Sequence, residues 1–168
     1  TDEEVNLNDQ VRHVSLDAEG NLWFAAYREE SIASLDASLF TGWQVFTGPA
    51  EGPFEVVDTY SISSTHPSYA QSASFHPSGV LFVSGVAMDT LGGAHLIVRA
   101  GPPGALSTSL NVMRDSDLTK PTQGSYARPV AFESDGSVWV IEGAVDVDAT
   151  TESGEETTNT TIWRMACL

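Results

Sequence analysis

Three polar side chains stand at equivalent places along the chain and could together bind an anion. Arg12, Gln71 and Arg128 each lie two residues before a phrase that occurs three times, and Tyr69 and Tyr126 precede the last two of them by a further two residues. A guanidinium group donates a fork of N–H groups to carboxylate or phosphate oxygens, and tyrosine or glutamine adds a neutral hydrogen bond. The spacing predicts a site for a small polar or anionic ligand. The alternative is that each arginine pairs with a carboxylate of a neighbouring repeat.

A second group of candidate residues is acidic and lies between about residue 142 and residue 159. Closely spaced carboxylates offer the hard oxygen ligands that Ca²⁺ prefers. The segment does not match an EF-hand loop, because Thr151 stands where that loop has glycine. Two interpretations stay open. The segment is either a solvated loop or a site for Ca²⁺ or Mg²⁺ with Asp146, Asp148 and Glu152 as ligands.

Recognisable catalytic signatures are missing from the sequence. The serine-rich runs lack the glycine-flanked elbow of a hydrolase nucleophile, and there is no phosphate-binding loop or dinucleotide fingerprint. The four histidines do not have the close spacing of zinc ligands. These observations favour a non-catalytic protein.

The repeated phrase indicates the elements that position these residues. It occupies residues 14–24, 73–83 and 130–140, and its glycine recurs as Gly20, Gly79 and Gly136 at nearly constant intervals. Apolar and small residues alternate on either side of a polar turn that ends in this glycine, as in two antiparallel strands. The strand after the turn is apolar on both faces, which predicts a sheet packed between two other sheets.

The repeat predicts an all-β fold made of β-propeller blades, as one domain over residues 1–168. The repeats cover about residues 9–53, 68–113 and 125–168, each a four-stranded antiparallel unit. Further strands are expected at residues 31–35 and 43–46 in the first repeat, 95–99 and 106–112 in the second, and 161–165 in the third. The third repeat has no fourth strand of its own, and residues 5–8, from Val5 to Asn8, are predicted to complete such a unit as the closing strand.

Three blades are too few for a ring, since closed propellers have roughly four to eight. We expect a homodimer of six blades, because symmetric dimers are the commonest oligomers and closure removes exposed strand edges. Two alternatives remain. Another polypeptide completes the ring, or residues 54–63 or 111–117 add strands to an open stack of sheets.

The first repeat resembles a known kind of blade. The sequence VSLDAEGNLWFAAYREESIASLD from Val14, followed by WQVF from Trp43, is similar to blades of the streptogramin-lyase type of propeller. It also resembles NHL-repeat and gluconolactonase-like proteins and the ligand-sensing propellers of some two-component regulators. The resemblance implies the fold, and it implies a metal-assisted lyase or lactonase as the alternative function. The histidines and glutamate that such lyases place near a metal have no matched positions here.

Composition limits the setting and the partners. Asp and Glu outnumber Lys and Arg by 23 to 7, which gives a net charge of −16 and disfavours nucleic acid and anionic membranes as partners. The lone Cys167 cannot form an internal disulfide, and no apolar run is long enough to span a bilayer. A sequence that begins at Thr1 without a leader suggests processing during export. We therefore expect an extracellular or periplasmic binding or assembly module. It would present loops or a channel mouth to a partner chain, a small polar ligand or a glycan.

Overall fold

Every regular element in the described part of the chain is a β-strand. The computed structural model describes residues 9–28, 42–91, 93–113, 126–133, 137–146 and 157–165. None of these residues is helical, so the described residues include no helix that could cross a membrane. The strands are β1 (Asp9–Leu16), β2 (Leu22–Arg28), β3 (Gln44–Gly48), β4 (Glu55–Thr59), β5 (Ser68–Phe75), β6 (Leu81–Met88), β7 (Ala94–Gly101), β8 (Ser107–Met113), β9 (Tyr126–Phe132), β10 (Val138–Asp146) and β11 (Thr157–Met165).

The strands form three antiparallel sheets that follow one another along the chain. Sheet A has the order β1-β2-β3-β4, sheet B has the order β5-β6-β7-β8, and sheet C has the order β11-β10-β9. The all-β class is confirmed, and so are four-stranded antiparallel sheets in the first two repeats. The predicted third and fourth strands of the second repeat coincide with β7 and β8. The described strands do not form a closed sheet.

The strand order predicted for the first repeat is wrong. The sequence predicts residues 43–46 as the fourth strand, but β3 pairs directly with β2 and is therefore the third. The fourth strand is β4, so sheet A extends beyond residue 53 to Thr59. The predicted strand at residues 31–35 lies outside the described residues, as does the closing strand predicted at residues 5–8.

The hairpin turns explain the repeated glycine. The Gly20 N–H donates to the Asp17 carbonyl at 3.2 Å, and the Gly79 N–H donates to the His76 carbonyl at 2.8 Å. Gly20 and Gly79 have φ values of 86° and 85°, a region that costs little only for glycine. The predicted turn chemistry is therefore confirmed in sheets A and B.

Each sheet has two faces, and these are fixed by which residues lie directly opposite across neighbouring strands. We define the front face by the row of Leu22 and Phe24 in sheet A, Leu81 and Val83 in sheet B, and Val138 and Val140 in sheet C. The back face carries the aromatic residue between each of those two, namely Trp23, Phe82 and Trp139. The three sheets thus present equivalent residues on equivalent faces.

The sheets stack back to front. Trp23, Ala25 and Val45 on the back of sheet A form one buried cluster with Leu81 and Val83 on the front of sheet B. The back of sheet B forms the second cluster with the front of sheet C; its buried members are Phe82, Leu96, Val98, Ala100, Val138 and Val140. Seven consecutive residues of β6 are buried, so the prediction that the strand after the turn lies between two other sheets is confirmed for β6. It does not hold in the same way for the end sheets of the described stack, where Phe24 on β2 and Trp139 on β10 are only half-buried.

Candidate functional site

The predicted ligand residues lie at an irregularity that the first strands share. Arg12 is the extra residue of a β-bulge in β1, and Gln71 is the extra residue of the corresponding bulge in β5. The pairing of β9 is also irregular, just after Arg128. A bulge turns a side chain away from the regular alternation of a strand, and bulges are common beside functional sites. The equivalence seen in the sequence therefore extends to the backbone geometry.

The three first strands are neighbours, because β5 packs against both β1 and β9. Arg12 is exposed, whereas Tyr69 and Gln71 are half-buried, and each of these three interacts with other groups of the protein. Arg128 and Tyr126 pair through their backbones with Ile141 and Gly143, and their side chains lie outside the described residues. The ligand site stays a prediction.

The predicted metal site falls almost wholly outside the described residues. Asp146 is the last residue of β10, opposite Thr157, and its side chain is not described. Asp148 and Glu152 lie beyond the described residues. Within the described ranges, no three His, Cys, Asp or Glu side chains converge on a point where a metal ion could bind.

A buried ion pair, which no pattern in the sequence indicated, joins sheets A and B. Arg99 on β7 donates from Nε and Nη2 to the two carboxylate oxygens of Asp58 on β4, at 3.0 and 2.8 Å. The Trp43 indole also donates to Asp58, at 3.0 Å. Arg99 lies 4.8 Å from the centre of the Tyr60 ring and donates to the Leu106 carbonyl. The alternative interpretation of Arg12 and Arg128 is that each pairs with a carboxylate of a neighbouring repeat. An ion pair between neighbouring sheets does exist, but it is formed by Arg99 and Asp58.

A second feature missed from the sequence is a carboxylate at the start of two turns. Asp17 accepts hydrogen bonds from the Trp23 indole and the Asn21 amide, both at 2.9 Å. Burial acts to raise the pKa of Asp17, but these hydrogen bonds outweigh it and hold the pKa below its ordinary value. Glu133 accepts from the Trp139 indole at 2.8 Å in the same way. The signal was present in the sequence, as an acidic residue six positions before a tryptophan in two of the copies.

Two of the histidines, His13 and His95, form hydrogen bonds that link strands or turns. His13 on β1 lies 2.9 Å through Nδ1 from the Ala73 carbonyl on β5, and since a carbonyl can only accept, Nδ1 carries the proton. His95 bridges Asp89 and Asn111. The N–H of Gly93 and the imidazole of His95 hold the pKa of Asp89 below its ordinary value. The His95 contacts lie within sheet B and its turn, whereas the His13 hydrogen bond joins sheet A to sheet B across 60 positions of the chain.

The front face of sheet A is apolar, and several of its side chains are exposed to solvent. Val14, Phe24, Phe46 and Val56 lie directly opposite one another across its four strands. Phe24 stacks on Phe46 and meets Phe54 edge to face, each with a centroid distance of 5.0 Å. Val14 is 53% exposed and Val56 is 46% exposed, whereas Leu81, Val83 and Val140 at front-face positions of the other sheets are fully buried. We call this surface the sheet A front face; it also includes Leu16 and Leu22.

The back face of sheet C is the other end of the stack. Trp139 is half-buried there, although the equivalent Trp23 and Phe82 are only 5% and 6% exposed. Arg164 lies opposite Trp139 in β11, with its guanidinium 5.6 Å from the ring centre, and donates to Glu133. Ile162, two residues before Arg164, is 59% exposed. These residues define the sheet C back face.

Comparisons of the chain with known protein families, with curated proteins and with solved structures find no match.

Proposed function

We propose that this protein is a non-catalytic binding and assembly module built from propeller-type blades. Its outermost sheet faces engage another chain, so that the stack of sheets continues across the contact. The observation that carries this proposal is the exposed apolar front face of sheet A. Two other sheets in the same chain use the equivalent face to pack against a neighbour.

The chemistry of the sheet A front face supports a protein partner. Four of its exposed side chains are large and apolar: Val14, Leu16, Phe54 and Val56 are between 43% and 61% exposed. Contiguous exposed apolar surface with aromatic residues near its centre is typical of protein contact sites. Burying a single Val, Leu or Phe side chain is worth roughly 1.5–3 kcal/mol. A partner that covers this row of residues would therefore gain a large favourable free energy of association.

The strand arrangement supports the blade interpretation. Sheets of four antiparallel strands that follow in chain order and stack face to face, with the first strands adjacent, are the arrangement in a propeller. The recurrence of the same turn and the same bulge in sheets A and B supports their being successive copies of one structural unit. Closure of the ring, and the chain that completes it, are part of this proposal.

The same proposal includes a small anionic ligand. It would bind at one mouth of the central channel that the first strands β1, β5 and β9 would line in a propeller. Arg12 and Gln71 lie at corresponding bulges of two neighbouring strands, which supports a shared polar surface for the ligand. Titration with citrate, followed by calorimetry, tests it. Arg12→Ala should weaken binding at least tenfold, as expected for loss of about 1.4 kcal/mol from a charged hydrogen bond. Ala105→Glu is the control, because it changes the net charge by the same one unit at an exposed residue of the turn between β7 and β8. Equal effects of both substitutions would contradict the site.

Light scattering after size exclusion tests the assembly function. We expect a particle heavier than the chain mass of 17.9 kDa, with a mass that rises with protein concentration. Leu16→Glu should shift the particle to the mass of one chain and leave the circular dichroism spectrum unchanged, because Leu16 is 61% exposed. Leu91→Glu is the matched control. It introduces the same charge at a residue that is 79% exposed but lies in the turn after β6. A single-chain mass at every concentration would overturn the proposal.

A further inference from the structure

One aromatic contact recurs at each junction between sheets. Trp23 on the back of sheet A meets Phe75 on the front of sheet B edge to face, with ring centres 5.2 Å apart. At the next junction, Phe82 on the back of sheet B lies 5.6 Å from Phe132 on the front of sheet C. Trp23 and Phe82 occupy the same position of the repeat, and so do Phe75 and Phe132. The same two repeat positions therefore form the aromatic contact at both described junctions.

At each end of the described stack, one of these two repeat positions has no counterpart from a neighbouring sheet. Trp139 continues the series of Trp23 and Phe82 on the back face, and Leu16 precedes Phe75 and Phe132 on the front face. Leu16 is 61% exposed, so sheet C of the same chain does not cover it. A back face and a front face of matching repeat positions thus lie at opposite ends of one chain.

We propose that the partner is a second copy of this chain, whose sheet C back face packs on the sheet A front face and places Trp139 against Leu16. This inference rests on the proposed assembly function and specifies its partner and its mode. Two copies related by a two-fold axis form the contact twice, front to back at each end. The result is a closed ring of two three-sheet stacks, within the roughly four to eight blades of known propellers.

Burial and polarity support the pairing. The contact would cover the exposed parts of Leu16, Val14 and Ile162, which are each more than half exposed. The Arg164–Glu133 pair lies beside Trp139 with 47% and 39% exposed side chains. In the ring these two charged groups would lie beside the covered aromatic residue, as the Asp17 carboxylate lies beside Trp23 in the junction between sheets A and B.

A mixing experiment tests the mode. Leu16→Glu alters only the sheet A front face, and Ile162→Glu alters only the sheet C back face. Each variant should dissociate, with a dissociation constant raised at least tenfold, as expected when a buried Leu or Ile contact is lost. When the two variants are mixed, one of the two contacts is formed by unaltered faces. We therefore expect the mixture to associate more tightly than either variant alone, as a pair containing one copy of each.

The outcomes separate this inference from the proposed function. Native mass spectrometry, with one variant carrying a mass label, identifies mixed pairs. If Leu16→Glu dissociates the particle and Ile162→Glu does not, two front faces pair with each other, and the assembly function stands while the front-to-back mode is wrong. If both variants dissociate and mixing restores nothing, the mode is also wrong. Leu91→Glu should associate as the unmodified protein does, alone and in mixtures.

Discussion

Arg99 and Asp58 form a two-point ion pair that joins sheet B to sheet A, with N–O distances of 3.0 and 2.8 Å. The side chains are 13% and 7% exposed, so both charges are largely removed from water. The Trp43 indole donates a third hydrogen bond to the same carboxylate. This group therefore holds the first junction of the stack by polar contacts as well as by apolar ones.

Replacing Arg99 should destabilise the protein strongly. Arg99→Met keeps much of the side-chain volume but leaves Asp58 as a buried carboxylate without its countercharge. We expect the free energy of unfolding to fall by about 3–5 kcal/mol, measured by urea denaturation. Arg164→Met removes the half-exposed partner of Glu133 and should cost less than about 1 kcal/mol. Similar losses in the two variants would mean that the junction does not depend on the buried pair.

The turn carboxylate Asp17 should contribute to stability in a pH-dependent way. Its pKa in the folded protein is below the ordinary value of 3.8, since hydrogen bonds from Trp23 and Asn21 overcome the effect of burial. The contribution is therefore complete above pH 3.8 and is lost as the pH falls through the lower folded value. Asp17→Asn should reduce the free energy of unfolding near neutral pH and converge on the unmodified protein in acid. Urea titrations across this range measure it, and parallel curves would argue against the assignment.

Gly85 on β6 should tolerate no side chain. A Cβ atom there would overlap the Tyr69 carbonyl oxygen and the Trp43 ring, and the backbone oxygen cannot turn away as a flexible side chain can. Gly85→Ala should therefore lower the free energy of unfolding by about 3 kcal/mol or more, at the upper end of overpacking costs. At the turn glycine Gly79, nothing lies within 4 Å and φ is +85°. Gly79→Asn should cost less than about 1 kcal/mol, because asparagine adopts this conformation locally. The reverse ranking in thermal or urea unfolding would contradict the close packing.

Salt should strengthen the association of the chains. Each copy has a net charge of −16, so two copies repel one another at low ionic strength. Added NaCl screens this repulsion, with a Debye length of about 10 Å at 0.1 M and about 3 Å at 1 M, while the apolar contact is kept. We expect the dissociation constant from sedimentation equilibrium to fall as NaCl rises over this range. An association that weakens with salt would instead indicate that ion pairs such as Arg164–Glu133 dominate the interface.

The hairpins were predictable because their determinants are local. Alternating side chains around a turn that ends in glycine specify two adjacent strands, and the structure confirms this at Gly20 and Gly79. The apolar residues on both sides of β6 likewise predicted a strand buried on both faces. The strand order of sheet A was predicted wrongly, because alternation shows that a segment is a strand but not which strand it pairs with.

By itself, the sequence determined the all-β class, the repeated hairpins and the equivalence of Arg12 with Gln71, since these follow from turn chemistry and spacing along the chain. Only the tertiary structure decided what each face packs against, and which faces at the two ends of the described stack are exposed. The pairing of Arg99 with Asp58 joins two different sheets across 41 positions of the chain, and Leu16 is exposed because none of the three described sheets packs in front of it. Local patterns record which side chains share a face of a strand. What packs against that face is set by the stacking of whole sheets, and long-range packing of this kind leaves no periodic signal in one chain.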